Sequence, residues 1–204
     1  MKTVQEEFWA GGFGNDYIAR NKSDSLLAAN LALFSDILKA SGPINSVLEL
    51  GCNVGMNLKA LDLLDSDILK AGIDINEAAI ARLKAEKPNF NLDTGSIIED
   101  LNVGIADLAF TKGVLIHINP QYLDVVYSNL YHKTKKYICV IEYYNPTPVS
   151  IAYRGYDDRL FKRDFCGELL DKYSDLKLVD YGFYYHRDPV FQQDDMTWFL
   201  MEKV

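Results

Sequence analysis

One stretch constrains this chain more than any other: Val47-Leu48-Glu49-Leu50-Gly51-Cys52-Asn53-Val54-Gly55-Met56-Asn57. An apolar run ends in an acidic residue, passes through a Gly-x-Asn-x-Gly turn and enters helix formers that continue to Leu64. The pattern predicts a strand, a tight turn and a helix. Glycines at such a turn let the backbone pass close to a ligand, and the free N–H groups at the start of the helix face whatever binds there. A nucleotide-like ligand at the carboxyl end of the strand is therefore expected. Gly51, Asn53 and Gly55 do not complete the dinucleotide fingerprint G-x-G-x-x-G, and the Gly-Lys-Ser/Thr of a phosphate-binding loop is also missing.

The 204 residues suit a single domain, 1–204, with a sizeable core. A net charge of −8 argues against nucleic acid as a partner, because phosphate backbones demand clustered Lys and Arg. Cys52, Cys139 and Cys166 are widely spaced and form no metal-ligand cluster with the three histidines, so no metal is expected. The first residues carry no apolar signal core, and no apolar run approaches the roughly 20 residues that span a bilayer. The expectation is a cytoplasmic protein with no membrane partner, either monomer or homodimer.

Four segments divide the domain: an N-terminal flap and helix (1–40), a ligand-binding core (41–144), a loop insertion (145–165), and a C-terminal helix and hairpin (166–204). Residues 5–21 are rich in glycine and aromatic rings, too irregular for a long amphipathic helix; Trp9 and Tyr17 on such a flap are placed to cover a ligand, and packing of Phe8, Trp9 and Phe13 on the core is the alternative. From Ser23, the residues Leu26, Leu27, Asn30, Leu33, Phe34, Ile37 and Leu38 recur at helical intervals until Ser41-Gly42-Pro43. Strands are predicted at Leu69–Asp74, Phe90–Thr94, Ala106–Thr111 and Lys136–Tyr144, with helices near 76–87 and 120–132. Residues 145–159 show no regular period; a helix over 160–173 and strands at 176–185 and 196–202 complete the chain.

The carboxylate at the end of the second strand, Asp74, stands 23 residues after Gly51, where it can accept bonds from both hydroxyls of an adenosine ribose, with Ile75 beside it. Capping of the next helix is the alternative role. Histidine is the side chain that ordinarily titrates near neutrality, so His117, in Val-Leu-Ile-His-Ile, suits proton transfer from an acceptor, and Glu142 offers a second base. Tyr143, Tyr144, Asn145, Tyr153, Arg154 and Tyr156 leave the carboxyl edge of the sheet together, and His186 lies in the last turn; Arg154 suits a carboxylate or phosphate.

The order acidic-x-Gly-x-(Gly)-x-Gly, with Asp74 and the Asp-Leu-x-Phe-Thr of 107–111, resembles the motifs of class I S-adenosylmethionine-dependent methyltransferases. That resemblance implies a Rossmann-like α/β fold: a seven-stranded mixed sheet, helices on both faces and between the first five strands, and an antiparallel last strand. It implies S-adenosyl-L-methionine as cofactor and S-adenosyl-L-homocysteine as product, held by Glu49, Gly51, Asn53, Gly55, Asn57, Asp74, Ile75, Ser96, Ile97, Thr111, Lys112 and Gly113. His117, Glu142 and Tyr143 become the catalytic candidates, and Tyr144, Asn145, Tyr153, Arg154, Tyr156 and His186 the acceptor-binding ones. The chain departs from the family at Asn53, where a glycine is usual, and at Ser96, where an acid usually meets the adenine. A narrower resemblance rests on Phe-Trp-Ala-Gly-x-Phe-Gly-x-x-Tyr, Phe-Thr-Lys-Gly-Val-Leu-Ile-His-Ile-Asn-Pro, Glu-Tyr-Tyr-Asn-Pro-Thr-Pro-Val and Leu-Phe-Lys-Arg-Asp-Phe. These segments look like the pseudaminic acid biosynthesis-associated methylases, which implies a small-molecule acceptor of nonulosonic sugar-acid type. A non-catalytic binding protein of the same fold and a nicotinamide-dependent oxidoreductase are the alternatives.

Overall fold

The computed structural model describes residues 3–14, 23–153 and 156–204, with backbone alone over 153 and 156–159. Helix α1 (Val4–Ala10) opens the described chain, set by a capping box in which the Thr3 side chain accepts from the Glu6 N–H and the Glu6 carboxylate accepts from the Thr3 N–H at 2.6 Å. Helix α2 (Asp24–Ser41) begins where Ser23 Oγ accepts from the Leu26 N–H and ends at Gly42, whose positive φ of 67° closes the last turn. Then follow β1 (Ser46–Leu50), α3 (Met56–Leu64), β2 (Leu69–Asp74), α4 (Glu77–Glu86), β3 (Asn91–Thr94) and β4 (Ala106–Lys112). Two short 3-10 turns, Leu115–His117 and Pro120–Tyr122, lead into α5 (Leu123–His132) and β5 (Thr134–Glu142). The last elements are β6 (Val149–Tyr153), β7 (Tyr156–Lys162), α6 (Phe165–Lys172), β8 (Leu176–Tyr184) and β9 (Met196–Lys203).

Seven strands form one sheet in the order β3-β2-β1-β4-β5-β9-β8, with the first five parallel and β9 antiparallel to both neighbours. This is the expected doubly wound sheet with its terminal hairpin. Alternation along the central strands sends side chains into two cores. Val47, Leu108, Phe110 and Ile141 pack under α2, α3 and α4 with Phe34, Leu58 and Leu83, while Leu48, Leu50, Ala109 and Val140 pack under α5 and α6 with Val126, Leu130 and Leu169. The Phe34 and Phe110 rings meet edge-on at 5.2 Å across the first of these.

Three expectations are corrected. Residues 95–105 between β3 and β4 form no helix, because Gly95, Ser96, Asp100, Asn102 and Gly104 leave no continuous apolar stripe to dock. The stretch after β5 is not an irregular loop: β6 and β7 pair as an antiparallel hairpin from Val149↔Lys162 to Tyr153↔Tyr156, separate from the main sheet. Consequently the next helix starts at Phe165 rather than near 160, with Asp164 accepting from the Gly167 N–H as its N-cap.

Candidate functional site

Strand order reverses direction about β1, whose neighbours are β2 and β4, and a crevice must open beyond the carboxyl ends of these strands. The turn after β1 occupies one wall. Gly51, Asn53 and Gly55 all have positive φ (84°, 45° and 70°), so Asn53 takes a left-handed conformation that few other side chains tolerate. Asp74 holds the turn in place: its Oδ2 accepts from the Asn53 N–H at 2.7 Å and its Oδ1 from the Asn76 N–H at 2.8 Å. Asp74 does not cap α4; Asn76 does, accepting from the Ala79 N–H. Two bonds leave lone pairs on the Asp74 carboxylate for a further donor.

A cavity of about 250 Å³ lies against this turn. Of the residues picked out from sequence, Trp9, Glu49, Gly51, Asn53, Asn57, Asp74, Ile75, Ser96, Ile97, Lys112, Gly113, His117 and Tyr143 border it. Helix α1 closes one side through Glu6 and Trp9: the Ser96 hydroxyl donates to Glu6 Oε1, the Asn76 side-chain amide donates to the Trp9 carbonyl at 3.2 Å, and the Trp9 and His117 rings sit 4.8 Å apart. Gln193 and Asp194 arrive from the β8–β9 connection, Met196 from the start of β9, and Leu26 and Asn30 from α2; none of these was expected from sequence.

Several expected residues lie elsewhere. Gly55 faces α4, where a Cβ would run into Leu83 Cδ1 at 2.7 Å, so its lack of a side chain serves helix packing. Gly55→Ala is expected to cost about 2–5 kcal/mol, from left-handed strain plus overpacking. A fall of roughly 5–15 °C in the calorimetric midpoint is the check, and an unchanged midpoint would refute it. Thr111 is fully buried and does not reach the cavity. Glu142, 3% exposed, is also outside; its Oε1 accepts from the Val114 and Leu115 N–H groups at 3.1 Å each and its Oε2 from Ile116, fixing the turn that carries His117. These bonds tie the Glu142 carboxylate to the turn that carries His117. Tyr144 packs on Phe199, Asn145 bonds Thr147, and His186 bonds Asp195 on the exposed last turn, all away from the cavity. Tyr17 and Arg154 lie outside the described residues, and nothing is described of the Tyr153 and Tyr156 side chains.

The electrostatics are unusual for so small a space. Burial pushes Glu49 up to about 8 against the opposing bond from Asn57, and burial lowers Lys112 to about 8 against the opposing pull of Glu49 and Asp194. Asn57 Nδ2 donates to Glu49 Oε1 at 2.5 Å, while Glu49 Oε2 and Asn57 Oδ1 are buried with no partner among the described residues. Once Glu49 is ionised, its Oε2 and Asn57 Oδ1 are two unfilled acceptors on residues of the cavity wall, arranged for a cationic donor from a ligand. No group of described residues is disposed to hold a metal ion, and no described helix is long and apolar enough to cross a membrane.

No family model matches the chain, and no curated protein matches it in sequence. Solved structures do match. A magnesium protoporphyrin IX methyltransferase from Synechocystis PCC 6803 with bound S-adenosylhomocysteine superposes at a TM-score of 0.71 with 14% identity over 100% of both chains. An S-adenosylmethionine-dependent methyltransferase from Clostridium acetobutylicum ATCC 824 gives 0.66 and 11%, over 94% of this chain and 97% of that one. The plantazolicin methyltransferase BpumL, in complex with a desmethyl analogue and S-adenosylhomocysteine, gives 0.64 and 14% over 98% and 94%. At these identities the likeness establishes the class I methyltransferase fold.

Proposed function

We propose that this chain is an S-adenosylmethionine-dependent methyltransferase acting on a nitrogen or oxygen of a small molecule. The observation that carries the reading is the pair of orphaned acceptors, Glu49 Oε2 and Asn57 Oδ1, buried at the carboxyl end of β1. They fit the ammonium of the cofactor. Asp74 has lone pairs left for the ribose hydroxyls, Gly51, Asn53 and Gly113 bring bare backbone close, and Ile75 and Ile97 offer apolar surface to the base. Glu6, hydrogen-bonded to Ser96, supplies from α1 the carboxylate that β3 lacks at its end. Trp9 and Lys112 complete the cofactor set.

When bound, the cofactor supplies a methyl group made electrophilic by a positively charged sulfur. The chain's part is positional: alignment of the acceptor is worth about 7–11 kcal/mol of barrier in well-oriented reactions. His117, held by the turn that Glu142 caps, accepts the acceptor's proton, and Tyr143 orients the acceptor from the end of β5. Proton transfer of this kind adds roughly 10²–10⁴ in rate. For the acceptor we propose a nonulosonic sugar acid, its precursor or its nucleotide conjugate, a reading that rests on the resemblance of the quoted sequence segments to the pseudaminic acid biosynthesis-associated methylases.

The test combines binding and turnover. S-adenosylhomocysteine at 100 times its Kd is expected to stabilise the protein by about 2.7 kcal/mol, visible as a raised melting midpoint, while NADH leaves it unchanged. Methyl transfer from labelled cofactor is then scored against a panel of sugar acids and amino sugars. His117→Ala is expected to lower turnover on the accepted substrate by at least about 100-fold with homocysteine-product affinity intact. A shift with NADH alone points to an oxidoreductase, and cofactor binding without transfer to any acceptor points to a non-catalytic relative.

A further inference from the structure

Helix α2 carries a polar side chain into the cavity that the cofactor set above leaves unused. Asn30 is 1% exposed and sits among Ala29, Leu33 and Phe34 on the buried stripe of the helix. It borders the cavity, and its Nδ2 has no acceptor among the described residues. Its Oδ1 accepts from Gln193 Nε2 at 3.1 Å, and Gln193 is itself 5% exposed on the β8–β9 connection. That bond fixes the amide: with the oxygen committed to Gln193, the nitrogen is the end available to a ligand.

Alternation along the strands puts the relevant groups on one face. Val47 and Phe110 belong to the core under α2 and α3, and Glu49 and Lys112, two residues further along β1 and β4, share that face. Asn57 lies in the first turn of α3, and α3 packs against α2. This corner therefore offers the acceptors Glu49 Oε2 and Asn57 Oδ1 and the donors Asn30 Nδ2 and Lys112, with the Asp194 carboxylate also acting on Lys112. Lys112 is the one Lys or Arg among the described residues that line the cavity. An α-amino acid presents the complementary set, an ammonium with three donors and a carboxylate with two acceptors.

We propose that Asn30, held in orientation by Gln193 and working beside Lys112, binds the carboxylate at the amino-acid end of the cofactor. This rests on the cofactor reading above and extends the site to α2 and the β8–β9 connection, neither of which belongs to the glycine turn. Asn30 becomes the residue that distinguishes the complete cofactor from adenosine fragments lacking the amino acid.

Calorimetric titration with S-adenosylhomocysteine and with 5′-methylthioadenosine, which keeps adenine and ribose and lacks the amino-acid end, tests this directly. In Asn30→Leu the homocysteine product is expected to bind at least tenfold more weakly and methylthioadenosine within twofold of wild type. Asn30→Asp keeps the shape and can keep the Gln193 bond, but sets a carboxylate against a carboxylate, and its loss of product affinity is expected to be larger still. Unchanged product affinity in both variants, or parallel loss of both ligands in both, overturns the proposal while leaving the cofactor reading standing if the wild type binds. Wild type binding neither ligand removes the cofactor reading and this proposal together.

Discussion

Asp74→Ala is expected to weaken S-adenosylhomocysteine binding by about 10²–10⁴, measured by titration calorimetry. The carboxylate is 8% exposed, and burial raises its pKa against the two backbone N–H groups, of Asn76 and Asn53, that favour its charged form. Each ribose hydroxyl bonded to it contributes roughly 1.5–3 kcal/mol as a charge-assisted bond, and two such bonds give the stated range of Kd. The variant also strands the Asn53 and Asn76 donors, at about 1–3 kcal/mol each, so a lowered melting midpoint accompanies the loss of affinity. Asp74→Asn separates the two effects. One amide oxygen still serves one of the donors, so stability recovers in part, while the charge that binds the hydroxyls stays absent. Product affinity within threefold of wild type in Asp74→Ala would place the ribose somewhere else.

The elements that build this wall were the most legible part of the sequence, because each rests on local chemistry. Gly51, Asn53 and Gly55 demand a left-handed path whatever surrounds them, and the apolar run before them ends in Glu49 at the strand's last turn inward. Asp74 could be placed because a strand–helix–strand unit fixes its distance from the turn. Legibility failed where a role depends on residues far away in the chain. Glu142 reads as a spare base at the end of β5, yet its partners are three backbone N–H groups 26 to 28 residues earlier. Gly55 reads as a ligand-side glycine and is spent on Leu83 of α4. The hairpin of β6 and β7 escaped because Gly155 and Asp157-Asp158 interrupt the alternation that marks a strand.

Two site residues left signals that were readable in principle. Asn30 falls on the core stripe of α2, between Leu26 and Leu33, and a polar side chain at such a position demands a partner. Thr3-x-x-Glu6 is a capping-box signature, so α1 was foreshadowed within a segment otherwise irregular. What no pattern announces is that Glu6 then meets Ser96, ninety residues away.

Between pH 5.5 and 8 the ligand-free protein is expected to lose about 3 kcal/mol of stability through Glu49 alone, seen as a fall of roughly 6–12 °C in melting midpoint. Glu49 titrates near 4.5 in the unfolded chain and is pushed to about 8 in the fold by burial. Over that interval the folded state holds a proton that the unfolded state has released, so stability is full below about 4.5 and drains away as pH rises through 8. Glu142, raised to about 7 by burial, acts in the same direction. Lys112 acts oppositely: lowered to about 8, it binds fewer protons in the fold than in the unfolded chain up to about 10.5, and stability recovers across that range. A minimum near pH 8 follows from the three together. Glu49→Gln keeps an acceptor for Asn57 and removes the titration, so its decline between pH 5.5 and 8 should be much shallower; an equal decline would locate the effect elsewhere. A ligand ammonium resting on Glu49 favours the ionised carboxylate, so binding of S-adenosylhomocysteine below pH 8 should release a proton. Calorimetry in two buffers of different ionisation enthalpy measures that release, and Glu49→Gln should abolish it. Proton release that persists in Glu49→Gln would mean that the ammonium rests on another group.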